Sequence, residues 1–244
     1  MKEFNKTSSK SDKIHHHDYG RFYPFFLNQF RDQNCEILEI GLDQKESVTL
    51  WKEFLPNAQI HGIDINKMDP EPGVNMYQVD QSNATQLSEF ATGKTNIFSV
   101  ILDDGSHVPS HQILTIEVLW PTLKPGGIYI IEDIETSWWG RSEIYGYGFN
   151  SQQTNLIEYF KDIPALINRE FSLSQSSQDW MNEIDLISFG QNCIILQKCT
   201  NESLEKLNRR YRFTGKKDSN SLSRKLRKST SNLIRRFRQK IGLL

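Results

Sequence analysis

The sequence predicts an α/β protein built on a doubly wound, mostly parallel seven-stranded sheet that ends in an antiparallel hairpin. Three observations predict it. Short apolar runs bounded by turn residues alternate with runs of helical length and spacing, the pattern of parallel strands covered on both faces by crossover helices. The apolar runs end in acidic residues: Asp64, Asp80, Asp103 with Asp104, and Glu132 with Asp133. Near the end of the pattern, strand-like runs at 183–189 and 192–198 are separated only by Gly190 and Gln191, a hairpin signal.

Taken in order, residues 1–13 are rich in Lys, Ser and Asn and read as a disordered N-terminus. His15, His16 and His17 follow, but adjacent residues do not face one way on a helix or strand, which argues against a three-fold chelate. The aromatic run 19–30 suits a helix lying over the sheet or the site. Strands are expected at 35–41, 59–65, 74–79, 97–102 and 128–131. Helices are expected at 46–54, where Val48, Leu50, Trp51 and Phe54 are apolar, at 83–91, and at 109–123. Residues 140–150, rich in Gly and Tyr, read as a loop over the site. Residues 154–168 read as helical, and the hairpin closes the domain at about residue 200.

The domain is therefore assigned to 14–200, followed by a basic helical tail, 201–244. The net charge of −1 conceals a split: the tail holds 14 Lys and Arg against 3 Asp and Glu, so +11, and residues 1–200 carry the remaining −12. Leu222, Leu226, Leu233, Phe237, Ile241 and Leu244 recur at near-helical spacing among Arg and Lys. A basic amphipathic helix suits an anionic membrane surface or a partner, or it docks on the acidic body. No apolar stretch reaches the length of a membrane span and residues 1–13 hold no signal-peptide core, so a cytoplasmic location is expected, with the tail as a means of peripheral membrane attachment. The three cysteines form no metal spacing; Cys35 and Cys193 sit in apolar runs and read as core, in a reducing compartment.

The strand–helix–strand unit from Asn96 to Trp139 carries the chemistry. Its two strand ends lie at one edge of the sheet, where ligands of open α/β sheets bind. That brings Asp103, Asp104, Glu132 and Asp133 together, with His107 on the loop beside them. Such carboxylates repel unless a positive charge sits among them, and a hard divalent cation supplies it; alternatively Asp103 and Asp133 cap the following helices. Asp64 lies 23 positions after Gly41, where a carboxylate accepts the two hydroxyls of a cofactor ribose. Asp80 and Gln81 are placed to reach an adenine from the third strand.

The strings E-I-L-E-I-G, F-L-P-N-A-Q-I-H-G-I-D-I, D-D-G-S-H, L-K-P-G-G-I-Y-I-I-E-D and E-T-S-W-W, with an upstream D-K, His17 and Tyr19, carry a resemblance. Over about residues 12–140 the chain resembles the S-adenosylmethionine-dependent, metal-dependent sugar O-methyltransferases of the mycinamicin and macrocin type. Cephalosporin-hydroxylase-like proteins are similar. The resemblance implies a Rossmann-like class I methyltransferase fold, with S-adenosylmethionine and Mg2+ as cofactors. It implies that Asp104, Glu132 and Asp133 hold the metal, that His107 is the general base, and that Glu39, Gly41, Ser47, Asp64, Asp80, Gln81 and Asp103 serve cofactor binding.

One departure stands out. The family carries glycines after E-I-G, whereas this chain reads Gly41-Leu42-Asp43-Gln44-Lys45-Glu46-Ser47. Either the loop takes a permitted shape with Ser47 starting the next helix, or cofactor binding is weakened or lost. The expected partner is a saccharide, lipid-linked if the tail marks a membrane surface; a homo-oligomer is open. A catalytically inactive scaffold of the same fold is the first alternative, motivated by the missing glycines. A nucleic-acid methyltransferase using the tail is the second, although an acidic cleft and a tail without aromatic interleaving argue against nucleic acid. A hydrolase using the same metal lacks an evident nucleophile.

Overall fold

The computed structural model describes residues 4–42, 46–139, 155–172, 174 and 176–205. In chain order it contains α1 (Asp12–His15), α2 (Tyr23–Leu27), β1 (Cys35–Ile40), α3 (Glu46–Phe54), β2 (Ala58–Asp64), β3 (Val74–Gln78) and α4 (Ala84–Ala91). These are followed by β4 (Phe98–Asp103), α5 (Pro109–Leu119), β5 (Leu123–Glu132), α6 (Leu156–Phe160), α7 (Ile163–Ile167), β6 (Ile184–Gly190) and β7 (Cys193–Lys198). The seven strands form one sheet in the order β3-β2-β1-β4-β5-β7-β6. β1 pairs parallel with β2 and β4, β2 with β3 and β4 with β5, while β7 runs antiparallel to both β5 and β6. The doubly wound sheet with a terminal hairpin is thus observed.

Period-two alternation divides the central strands between two cores. Leu38, Ile40, Ile101, Tyr129 and Ile131 pack on one face with Leu87, Ile116 and Leu119. Ile37, Val100, Leu102, Ile128 and Ile130 pack on the other with Trp51, Phe54 and Tyr23. Cys35 and Cys193 belong to the second core, and the cysteines are free thiols.

The polar N-terminus departs from the disorder expected for it. Phe4 is fully buried, its ring edge-on to Tyr23, Trp51 and Phe54 with centroids 5.7, 6.3 and 4.9 Å away. Ser9 Oγ donates to the Glu46 carbonyl at 2.7 Å, and Ser11 caps α1 through Lys13 N. One aromatic anchor and a few hydrogen bonds thus tie a polar segment to α3. The expected helix over 154–168 is divided into α6 and α7, because Pro164 at the start of α7 has no N–H to continue the ladder. Residues 19–30 form α2 flanked by two 3-10 turns, Tyr19–Arg21 and Asn28–Phe30. The expected loop at 140–150 and the tail beyond 205 lie outside the described residues. Among the described residues, no helix is long and apolar enough to cross a membrane.

Candidate active site

The strand order reverses between β1 and β4, and the crevice at the carboxyl ends there is the ligand position of open α/β sheets. A cleft of about 730 Å³ opens at this edge. Its floor is Gly41, whose φ of +84° is open to glycine and whose Cβ, if present, would lie 2.3 Å from the Asp104 carbonyl oxygen. Leu42 follows and is buried against Gly62, where an added Cβ would meet Leu42 Cδ1 at 1.7 Å. Leu42 is thus packed against β2; residues 43–45 lie outside the described residues.

Asp64 lines the cleft at the end of β2. Its Oδ2 accepts Leu42 N–H at 3.2 Å and its Oδ1 accepts Asn66 N–H at 2.8 Å, so two backbone amides fix the carboxylate plane. Gln81 bridges two loops: Nε2 donates to Asp103 Oδ1 at 2.6 Å and Oε1 accepts Ser106 N–H at 2.8 Å. Ser106 Oγ also lies 2.9 Å from His111 Nδ1, and both line the cleft.

Alternation sorts the acidic residues. Glu39, Asp104 and Glu132 continue the strand positions of Ile37, Leu102 and Ile130, so they project toward the N-terminal segment, whereas Asp103 projects to the opposite face. Into the first group comes Lys13, 1% exposed. Its ammonium pairs with Asp104 Oδ2, with Glu132 Oε2 at 2.9 Å and with Glu39 Oε1 at 3.4 Å. Burial alone would lower the Lys13 pKa, but Asp104, Glu132 and Glu39 together hold it well above the usual range. Burial pushes the Glu39 and Glu132 carboxyls up, and the ammonium pulls both back. The remaining oxygens are taken as well: Tyr23 donates its hydroxyl to Glu132 Oε1, while Ser47 Oγ and Trp51 Nε1 donate to Glu39 Oε2 at 2.7 and 2.9 Å.

The outer part of the cluster is open to the cleft. Asp104, His107 and Asp133 each offer a ligand atom within 4.8 Å of the others. His107 (φ 55°) and Asp133 (φ 52°) both hold the left-handed conformation, which costs energy for such residues and here aims both side chains at one point. Asp133 makes no cap hydrogen bond to the turn that follows it, and α5 is preceded by Val108, so capping does not account for these carboxylates. His107 Nε2 lies 3.7 Å from Asp133 Oδ2, and His107 Nδ1 is buried without a hydrogen-bond partner among the described residues. On the other side, Asp133 Oδ1 meets Asn192 Nδ2 at 2.8 Å, the Tyr19 hydroxyl at 3.3 Å and His17 Nε2 at 3.5 Å. Burial raises the Asp133 pKa, with Asp104 adding to the shift and His107 and His17 opposing it. Asp133, and Asp104 whose one ammonium is shared with Glu39 and Glu132, have an imidazole nitrogen and open space beside them and are donors that suit a hard divalent cation.

Of the residues expected from the sequence, Gly41, Ser47, Asp64, Asp80, Gln81, Asp104, His107 and Asp133 line the cleft together. Glu39, Asp103 and Glu132 lie beneath it, at most 1% exposed. Asp103, bonded to Gln81, is pushed up to about 7 by burial, with Asp104 adding to the shift. Sequence reasoning missed Lys13, Tyr23 and Asn192 as members of the site. The signal available for Lys13 was the D-K pair just upstream of His17; for Asn192 it was the hairpin turn returning beside β5.

No protein-family model matches the chain. It is 33% identical over 138 residues to the 8-demethyl-8-alpha-L-rhamnosyl tetracenomycin-C 2'-O-methyltransferase of Streptomyces olivaceus, covering 53% of this chain and 36% of that protein. It is 34% identical over 134 residues to the mycinamicin VI 2''-O-methyltransferase of Micromonospora griseorubida, covering 50% and 33%. Among solved structures, the MycE methyltransferase of the mycinamycin biosynthetic pathway, in complex with Mg and SAH, superposes with a TM-score of 0.67 at 26% identity, covering 76% of this chain and 50% of that one. The chain therefore resembles sugar O-methyltransferases in sequence and has the class I Rossmann-like methyltransferase fold. The match spans about a third of the length of these curated relatives.

Proposed function

We propose that the chain is an S-adenosylmethionine-dependent O-methyltransferase that acts on a sugar hydroxyl of a glycan or glycosylated metabolite, with a divalent cation assisting deprotonation. The observation that carries this reading is the convergence of Asp104, His107 and Asp133 at the mouth of a cleft that also holds Asp64, together with the similarity to sugar O-methyltransferases.

Asp64, oriented by two backbone amides, keeps lone pairs free for two vicinal hydroxyls of a nucleoside ribose. Gln81 holds the loop carrying Ser106 and His107 against β4, and Asp80 stands at the same end of the cleft. Asp104 and Asp133 would present oxygens to Mg2+, with Glu132 behind Asp104. Mg2+ bound there would supply charge that lowers the pKa of a sugar hydroxyl, and S-adenosylmethionine would supply an activated methyl group. His107 takes the hydroxyl proton, with Asp133 beside Nε2 to stabilise the imidazolium that results. S-adenosylmethionine held in the cleft beside Asp64 would give its methyl group to that sugar oxygen and leave as S-adenosylhomocysteine.

Calorimetric titration of the full chain with S-adenosylhomocysteine, with and without Mg2+, tests the reading; neither heat nor thermal shift would defeat it. The acidic body and the basic tail further support a saccharide presented at an anionic lipid surface. Deleting residues 219–244 should then abolish co-sedimentation with anionic vesicles while leaving the S-adenosylhomocysteine titration unchanged.

A further inference from the structure

We propose that Asn192, in the turn of the terminal hairpin, is a positioning residue for the candidate site: it holds Asp133 in the left-handed conformation and fixes the orientation of its carboxylate. This rests on the reading of Asp133 as a cation ligand.

The hairpin brings the two residues together. β7 runs antiparallel to β5 with Cys193 opposite Glu132, so the next position on each strand sets Asn192 against Asp133. Asp133 has φ 52° and ψ 50° and makes no side-chain cap bond to the turn that follows. A residue in that conformation persists only where its surroundings over-determine it. Asn192 supplies those surroundings. Its Oδ1 accepts Glu135 N–H at 3.0 Å, its Nδ2 donates to Asp133 Oδ1 at 2.8 Å, and its carbonyl accepts Ile134 N–H at 3.5 Å. One residue thus grips three consecutive positions, 57 to 59 residues before it in the chain. The Glu135 N–H requires an oxygen, and this settles which end of the amide faces the carboxylate. Asn192 is itself left-handed, at φ 60°, a conformation that asparagine adopts more readily than most residues.

The grip divides the two oxygens of Asp133. Oδ1 faces the hairpin, where it meets the Asn192 amide, the Tyr19 hydroxyl at 3.3 Å and His17 Nε2 at 3.5 Å. The same Tyr19 hydroxyl reaches the Asn192 carbonyl at 3.1 Å, and Asn192 Nδ2 lies 3.5 Å from His17 Nδ1. Oδ2 lies on the other side, 3.7 Å from His107 Nε2. Hydrogen bonds to a ligating carboxylate orient it toward the ion, and losing such a partner typically costs about 10- to 100-fold in affinity. Removing the Asn192 side chain frees the carboxylate plane and the backbone at Asp133 together. A turn that merely closed the sheet would change stability and leave cation affinity alone.

The test is calorimetric titration of the full chain with Mg2+, for the wild type, Asn192→Gly and Gln191→Gly. Glycine at 192 keeps the left-handed backbone available and removes only the side chain; glycine at 191 loosens the same turn without touching Asp133. The expected result is Mg2+ binding about 10- to 100-fold weaker in Asn192→Gly and within about twofold of wild type in Gln191→Gly. S-adenosylhomocysteine binding without Mg2+ should stay near wild type in both. Unchanged Mg2+ affinity in folded Asn192→Gly, or an equal loss in Gln191→Gly, overturns this inference alone. No Mg2+ binding by the wild type overturns the cation reading and this inference with it.

A second measurement uses the intact protein. The side-chain amide resonances of Asn192, identified in asparagine-15N-labelled protein by their loss in Asn192→Asp, should shift when Mg2+ saturates the site. Resonances that stay in place while the ion binds would show that the amide and the ion do not share a carboxylate, and would overturn the proposal.

Discussion

Lys13 and Glu132 are 119 positions apart in the chain, and their charged groups are 2.9 Å apart in the fold. The ion pair is buried, and such a pair is strongly destabilising to break one-sidedly because it leaves a charge without its counter-charge. The N-terminal segment, through Ser11, Asp12 and Lys13, is therefore a wall of the cleft, and its packing bears on both stability and the shape of the candidate site.

That packing makes Phe4 a first target. Phe4→Ala removes a fully buried ring from between Tyr23, Trp51 and Phe54 and should cost about 3–5 kcal/mol, read from the urea midpoint. An unchanged midpoint would mean the segment contributes no packing.

Gly41, just past the end of β1, packs closely against Asp104 and Gly105 at the start of the loop after β4. In Gly41→Ala the new Cβ meets the Asp104 carbonyl oxygen at 2.3 Å in a backbone conformation with φ +84°. The two loops must separate, so Asp104 moves away from Asp133. Loss of S-adenosylhomocysteine and cation binding is expected in a protein whose far-ultraviolet circular dichroism is retained. Wild-type affinity for both ligands would show that the close approach is not needed.

His107 is expected to act on the proton and not on cofactor affinity. His107→Gln should lower kcat by about 10²- to 10⁴-fold on an accepted glycoside while S-adenosylhomocysteine binding stays near wild type. Equal loss of both would assign His107 to binding instead.

Asp103 supplies a pH test away from the cleft surface. Folded, it keeps its proton up to about 7; unfolded, it releases it near the ordinary value of 3.8. Between those values the folded state binds more protons, so its contribution to stability falls as pH rises through that window. Asp103→Asn removes that slope. The variant's denaturation midpoint should gain on the wild type between about pH 4 and pH 8, and parallel profiles would contradict the assignment.

The strands were legible because buried parallel strands declare themselves locally. Ile97 to Leu102 and Ile128 to Ile131 read as apolar runs, and their acidic ends marked the edge where ligands bind. The hairpin was legible from Gly190 and Gln191, since two β-rich runs with a two-residue gap have few other uses. The anchoring role of Phe4 was not, because a single aromatic in a Lys/Ser/Asn segment has no periodicity to report. The division of the 154–168 helix was signalled by Pro164, although the apolar spacing there favoured one element.

By itself, the sequence determined the sheet, the terminal hairpin and the edge at which Asp104, His107 and Asp133 meet. These follow from apolar periodicity, which each segment carries within a dozen residues of itself. Only the tertiary structure decided that Glu39 and Glu132 lie beneath the cleft with Lys13 among them, and that Asp133 faces outward beside His107. Which carboxylate is neutralised and which stays open depends on face alternation across three strands and on an ammonium delivered from far along the chain, and no local pattern encodes a charge match at that separation.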